Sequence, residues 1–268
     1  MAIRRCYVFR IKKSKRMIRL LSIICLIVAL YPLRIQAQGP EGIDIVYDCR
    51  FNIQFDQQRL LVPFHARLLS SADYTYFDAV RDKSFELGEG IEYANLPDTL
   101  FQVIKSVSKS QMLFASQSLS GKTVYYQDNL HAIEWTLTDD SKRIDQLECF
   151  KATARFRGRD YIAWYAPSIP VPNGPWKLGG LPGMIIEAYD VYENLYFLAR
   201  SIRYRETKDP PYPVADITAY PAFTEYVAYL RSTLDMIQAS LAAQGQGDCV
   251  DCQTRSKVKL HLWEKVLD

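Results

Sequence analysis

Few side chains in this sequence have both the type and the spacing for chemistry. Cys249-Val250-Asp251-Cys252 is a single CxxC pair. Such a pair exchanges disulfides when a helix end lowers the thiol pKa, yet here it follows the flexible-looking run Gln244–Gly247. A zinc site would need two further ligands; His261 alone is near, and there is no second CxxC. The context therefore favours a structural disulfide over redox chemistry, metal binding or free thiols. The three histidines, His65, His131 and His261, form no HExxH, and no GxSxG elbow is present. Asp139-Asp140 reads as a solvated pair in a turn, and His131 as a structural residue at a strand start. The strongest electrostatic feature is the basic cluster Lys151, Arg155, Arg157 and Arg159. Alternation puts the first three on one strand face. There they could hold an anionic headgroup, a phosphate or a glycan carboxylate through charge-assisted hydrogen bonds. The alternative is pairing with acids such as Glu134 or Asp160. No residue is assigned a catalytic role, and no motif calls for a cofactor or a metal.

The compartment bears on all of this chemistry. Residues 1–37 carry nine Lys/Arg and no acid. Leu20–Tyr31 is an apolar run of twelve residues, the length of a secretory h-region and short of the roughly 20 that span a bilayer. Pro32 breaks it, and Ala37 offers a small residue for cleavage. We therefore expect a signal peptide over 1–37, with Met17 as an alternative start, and an exported protein, periplasmic or at the cell surface. An uncleaved N-terminal anchor is the other reading. Cys6 and Cys25 leave with the leader. Cys49, Cys149, Cys249 and Cys252 remain, and an even number in an exported chain reads as disulfides. The expected pairs are Cys49–Cys149 and Cys249–Cys252. Closing the longer loop would contribute roughly 4–5 kcal/mol in the chain-entropy model.

The 268 residues are 49% apolar, 13% aromatic and 24% charged, enough to bury a core. The formal charge of +3 belongs to the leader; without residues 1–37 there remain 24 bases against 30 acids, a net of −6. That balance argues against general nucleic-acid binding. No later stretch approaches transmembrane length.

The elements that must position these residues are mostly strands. Tyr and Phe, 18 and 12 in number, favour extended structure. Ile43–Phe55 alternates apolar and polar residues. Leu60–Leu69 fits a strand or a short helix. Short β-branched or aromatic runs follow at Leu100–Val107, Gln111–Ser116, Lys122–Gln127 and His131–Leu137, as in an antiparallel meander. Asp139–Lys142 reads as a turn, Ile144–Phe156 as a strand, and Tyr161–Tyr165 as its return. Met184–Asp190 and Leu195–Ile202 read as a further hairpin. Phe223–Ala243 has apolar residues three and four apart, an amphipathic helix with Thr224 as N-cap. The fold class is therefore mainly β: a curved antiparallel sheet or half-barrel with a C-terminal helix. The domain reading is a leader over 1–37, a β-rich domain over 38–203, and a linker, helix and CxxC tail over 204–268.

Between strands, Pro170–Gly183 holds four of the thirteen prolines and four of the twelve glycines. Asn173-Gly174 and Pro182-Gly183 are turn signals; Gly183 should take φ > 0 in a type II turn. Gly179-Gly180 permits close backbone approach. Trp176, Leu178 and Leu181 are apolar in what otherwise looks like a loop. The segment reads as a stiff crossover that either plugs one end of the β structure or contacts a ligand. It lacks the GxxxxGK[ST] spacing of a phosphate loop.

Gly180-Leu181-Pro182-Gly183-Met184-Ile185 closely resembles the signature of the GLPGLI family, exported proteins of Bacteroidetes, with Met184 in place of the usual Leu. The flanks agree: Trp135 and Lys142, Cys149-Phe150-Lys151-Ala152, Arg157-Gly158-Arg159, Ala163-Trp164-Tyr165, and Ile169 to Trp176. The likeness covers about 44–202 and implies an exported β-rich protein. It implies no established activity and transfers no catalytic residue. The expectation is a non-catalytic envelope protein that binds an amphiphilic ligand or a partner protein. Trp176, Lys177, Leu181, Arg155, Arg157, Arg159 and Trp164 are its candidate contacts. An envelope thiol–disulfide enzyme using Cys249 and Cys252, or an unrecognised hydrolase, are the alternatives.

Overall fold

Alternating apolar and polar residues build one antiparallel sheet, seen here in a computed structural model that describes residues 42–55, 58–81, 99–117, 121–130, 132–206 and 216–244. The expected leader over 1–37, His131, His261 and the Cys249–Cys252 pair lie outside these residues. The strands are β1 (Gly42–Phe55), β2 (Gln58–Ser71), β3 (Tyr74–Arg81), β4 (Thr99–Ser106), β5 (Gln111–Gln117), β6 (Thr123–Asn129), β7 (Thr136–Ile144), β8 (Leu147–Phe156), β9 (Arg159–Ala166), β10 (Met184–Asp190) and β11 (Leu195–Arg205). The spatial order is β6-β5-β4-β3-β2-β1-β11-β10-β9-β8-β7. Two meanders thus meet where β1 pairs with β11. The sheet curves as a half-barrel and does not close. The mainly β class expected from sequence is the one observed.

The alternation in β1 decides which face is inward. Ile43, Ile45, Tyr47, Cys49 and Phe51 are all buried, and they belong to one face because successive strand side chains alternate. Their cross-strand partners share it: Phe64 and Leu68 on β2, then Phe77 on β3, and Phe197 on β11. Phe197 packs edge-to-face against Phe64 and Phe77, with centroids 6.4 and 6.3 Å apart. Burying each such ring stabilises the fold by roughly 2–3 kcal/mol.

The C-terminal segment wraps the β6 edge. Ile217, buried in a 3-10 turn, lies against β5; Pro221 and Tyr220 accept hydrogen bonds from the Gln127 backbone and side chain. Helix α1 (Phe223–Gln244) then lays Phe223 and Tyr226 on Phe114, a residue of the inner face. The opposite edge, β7, carries Asp139, Asp140, Lys142 and Arg143, charges that deter pairing with another chain.

Several sequence expectations change. Tyr74–Arg81 is a strand that the reading did not include. Asp139–Lys142 is not a turn but part of β7; the chain turns at Asp145-Gln146, where Asp145 has φ 51°. Of the two readings open for Leu60–Leu69, strand or short helix, the strand is the one observed. Thr224 does not cap α1, because the helix already includes Phe223. Glu225 instead reaches back to the Ala222 backbone N–H (3.0 Å), half of a capping box.

The Cys49–Cys149 disulfide is not formed; both thiols are free and buried. Cys49 pairs with Phe197 on the inner face, whereas Cys149 pairs with Lys142 on the outer one. Strands β11, β10 and β9 also lie between them. A disulfide needs Cα atoms within about 7 Å, and sequence separation alone carries no information on that distance. Burial pushes both thiols above their ordinary pKa, Cys149 to about 11, so neither is a reactive thiolate at neutral pH.

Candidate functional site

The segment 167–183 turns into the half-barrel and fills part of its concave side. Trp176, Lys177, Leu178 and Leu181 are all buried there. Backbone bonds make the segment stiff: Leu178 N–H to Pro175 O, Gly180 N–H to Pro172 O, and an isolated bridge between Asn173 and Gly179. Trp176 itself takes the left-handed conformation, φ 52°, which turns its ring onto Phe156 (6.3 Å). Trp135 donates to Gly179 O at 2.9 Å. The expected turn at Asn173-Gly174 lies instead at Trp176-Lys177, closed by Leu178 N–H on Pro175 O, and Asn173 is bridged to Gly179. Asn173 donates to Ser70 and Thr75 on the sheet, and its Oδ1 accepts from the Gly174 N–H.

Two lysines fasten this plug. Lys105 Nζ donates to Asn173 Oδ1 (3.1 Å), Gly174 O (3.3 Å) and Leu178 O (2.6 Å). It is 4% exposed, and burial pulls its pKa down from 10.5 to about 7. Lys177 comes from the plug itself. Its ammonium lies 3.7 Å from Asp128 Oδ2 and 3.7 Å from the Phe114 ring centroid, a cation–π contact. Asp128 also receives Arg157 at 2.5 Å, and the Arg157 guanidinium stacks 3.9 Å from Phe223. Strands, plug and α1 therefore share one buried ionic and aromatic cluster.

The basic stripe is distributed differently from the sequence expectation. Lys151 meets Asp140 at 2.8 Å, and Arg155 meets Asp160 at 3.2 Å, both at the surface. Arg157 leaves their face because it sits at φ 49° in the β8–β9 turn, and its side chain turns inward. Arg159 is 6% exposed and bound to Asp190 at 2.7 Å. Asp190 in turn accepts the Asn194 and Leu195 N–H groups. Trp164 lies on the outer face under the Lys142 ammonium, 4.3 Å from its ring centroid. Lys142 also reaches Glu187, which accepts the Tyr196 hydroxyl at 2.7 Å. Exposed pairs contribute little, so Arg155→Ala should change unfolding free energy by less than about 1 kcal/mol. A larger drop in a urea melt would contradict a solvated Arg155–Asp160 pair.

Gly183 corrects a further expectation. It does not have positive φ; among the glycines here, Gly121, Gly158 and Gly180 do. Gly183 N–H closes back on Leu181 O (2.8 Å) around Pro182, a tighter turn than type II. Glycine is needed because a Cβ would stand 2.4 Å from the Ala166 carbonyl oxygen.

With the plug in place, open space lies elsewhere. Strand β10 pairs with β11 only from Glu187–Leu198 to Tyr189–Tyr196. Beyond Leu198, β11 follows β1 to Arg205, while β10 runs back along β9 to Met184. The sheet splits, and a cleft of about 550 Å³ opens, within the usual range for small-molecule sites. Its lining comes from Ile169 and Ile186, from Ile202 and Tyr204 on β11, and from Ile144, Asp145 and Leu147 at the β7–β8 turn. Arg200 stands at its rim, with Nε on Asp48 (2.5 Å). Apart from Ile169, which opens the family flank, none of these cleft residues was singled out from sequence, because the split depends on which strands pair. Lys105 did leave a signal: in Val103-Ile104-Lys105 it holds the parity of the inward Val103.

A family model described as "Protein of unknown function (Porph_ging)" matches residues 157–187. That stretch contains Arg157, Arg159, Trp164, the plug and most of β10. No curated protein matches the chain. Among solved structures, a similarity is found to PNGF-II, at 15% identity over 70% of this chain and with a TM-score of 0.45. The chain spans about a third of the length of PNGF-II, 32%. The LolA superfamily protein NE2245 from Nitrosomonas europaea is similar at 10% identity, 65% of this chain, 89% of its own and a TM-score of 0.28. A DUF1329 family protein from Desulfovibrio piger gives 9%, 69%, 93% and 0.25. No helix among the described residues is long and apolar enough to cross a membrane.

Proposed function

We propose that this chain is an exported protein of the cell envelope, of GLPGLI type, that holds an amphiphilic ligand or a partner protein without transforming it. The leader over 1–37 and the Gly180–Ile185 signature support export and family. The observation that carries the binding reading is the split between β10 and β11. It leaves the half-buried Ile144, Leu147 and Ile202 and the exposed Tyr204 beside open space, while Ile169 and Ile186 of the same lining are already buried. Apolar surface kept open in this way gains about 25 cal/mol per Å² when something covers it. The candidate contacts Trp176, Lys177 and Leu181 then act as scaffold, and the ligand space moves to Ile144, Ile202 and Tyr204.

The test is titration of the full chain with a dansyl-labelled C11 fatty acid. Saturable fluorescence enhancement is expected, weakened about tenfold by Ile202→Glu, which places a charge in the cleft. No saturable binding, or equal binding by the variant, would overturn the cleft as the ligand space for acyl chains.

A further inference from the structure

We propose that the outer face of β3, β4 and β6 holds a binding site for a primary alkylammonium ion, with Asp78 as its counter-charge. This site is separate from the β10–β11 cleft. Its first mark is an unanswered carboxylate. Among the described residues, the other buried or half-buried acids each have a cation or a backbone N–H. Arg67 answers Asp44, Arg200 answers Asp48, and the Ser108 N–H answers Asp73. Arg157, Lys142 and Arg159 answer Asp128, Glu187 and Asp190. Asp78 is half-buried and has no such partner, and its Oδ1 is buried without a hydrogen bond. Arg67 stands directly opposite on β2 but turns its Nε and Nη2 to Asp44, at 3.0 and 2.7 Å. His65, on the same face of β2, goes to Asp48 at 3.2 Å. Burial pushes the Asp78 carboxyl above its ordinary range, with a hydrogen bond from Gln102 opposing it. An acid so placed either keeps its proton or draws a cation to itself.

The second mark is the set of side chains around that acid. Phe77, Val103 and Tyr126 are buried on the inner face, so alternation puts Tyr76, Asp78, Gln102 and Tyr125 on the outer one. Gln102 is the cross-strand partner of Asp78. Its Nε2 donates to the Tyr76 hydroxyl (3.0 Å), and its Oε1 accepts from the Tyr125 hydroxyl (2.6 Å). Tyr125 reaches across β5 because the residue opposite it there is only Ala115. Tyr220, from the C-terminal segment, meets the Tyr125 ring edge-to-face at 6.0 Å. Burial first, then Tyr220 and Asp78, push the Tyr125 phenol up, so the Asp78 charge acts on that ring. Tyr76, Gln102, Tyr125 and Tyr220 are all half-buried, within reach of solvent. A carboxylate, an amide oxygen and tyrosine faces together suit an organic cation. The bare Oδ1 needs a donor, which selects an ammonium bearing N–H groups over a quaternary one. The alkyl part then lies along the tyrosine rings. Entry turns the Gln102 amide aside, a rotation about side-chain bonds alone.

The experiment titrates the full chain with n-butylammonium chloride by calorimetry at constant ionic strength. Tetramethylammonium chloride and n-butanol are the controls. Saturable binding of butylammonium is expected, with a Kd of about 1 mM. Tetramethylammonium, which has no N–H, should bind roughly tenfold more weakly, and butanol not at all. Asp78→Asn should weaken butylammonium binding at least tenfold. The same variant should keep or raise Tm, because an amide replaces an acid that has no cation. If the variant does not fold, the carbon-13 carboxyl resonance of Asp78 in the native chain serves instead, and its pKa should fall when butylammonium is added. No saturable binding, equal binding by Asp78→Asn, or equal affinity for tetramethylammonium overturns the site. So does a lower Tm in Asp78→Asn, which would assign the carboxyl to the fold, or a carboxyl pKa that butylammonium leaves unchanged. None of these outcomes bears on the fatty-acid titration, which reads Ile202 in the cleft.

Discussion

Gly183→Ala should lower the unfolding free energy by about 3 kcal/mol or more, one of the largest effects of a single methyl anywhere in the described chain. The added Cβ would stand 2.4 Å from Ala166 O, 2.7 Å from Ala166 C and 2.9 Å from Pro167 Cα. All three are backbone atoms, so no rotamer change relieves the clash; the end of β9 and the start of the plug must both move. Overpacking commonly costs 1–3 kcal/mol, and a collision with main chain belongs at or above the upper end. For a domain of this size that is roughly 6–12 °C in Tm. Gly180→Ala is the informative control. Gly180 has φ +88° but nothing within 4 Å of a built Cβ, so it meets only the left-handed penalty of about 1–2 kcal/mol. If Gly180→Ala proved the more damaging, conformational freedom rather than close approach would govern the turn.

Lys105 yields the second large effect, a pH dependence. Its pKa falls from 10.5 in the unfolded chain to about 7 in the folded one, because burial disfavours the ammonium. Between these values the unfolded state binds more protons, so stability must rise with pH across the window and be flat, with respect to this group, below about 7. The full span is about 5 kcal/mol. Cys49 and Tyr47 act with the opposite sign at higher pH. Their folded pKa values are raised by burial, so their contribution is lost as the unfolded thiol and phenol ionise. Both buried thiols begin to oppose it as the unfolded cysteines ionise at about pH 8.5, so the window from pH 7 to 8 isolates Lys105 best. Lys105→Met should abolish the upward slope there. Gly174 O and Leu178 O lose a donor in this variant, but at pH 7 the relief of deprotonating the buried lysine offsets that loss, so the variant should be destabilised less at pH 7 than at pH 9. Urea melts at pH 7, 8 and 9 on both proteins measure this. A slope that survives in the variant would mean that the lysine does not titrate inside the plug.

These two positions show how far the sequence reaches. Alternation in Ile43–Phe55 and the aromatic runs that follow determined a curved antiparallel sheet, because burial on one face imposes a period of two that residue type alone reveals. The Pro/Gly density of 170–183 determined a stiff crossover with apolar residues in it. The sequence also marked Gly183, although for a positive φ it does not have. Only the tertiary structure decided where charges end. Arg157 leaves its strand face because a left-handed turn residue precedes β9, and Asp128, 29 residues away, receives it. Cys49 and Cys149 stay free because pairing order puts them on different strands and opposite faces. The β10–β11 split arises because β11 follows β1 longer than it follows β10. Periodicity is a local property, written in neighbouring side chains. Strand order, the direction of a turn and the meeting of distant charges depend on contacts between residues far apart in the chain, and no local pattern encodes them.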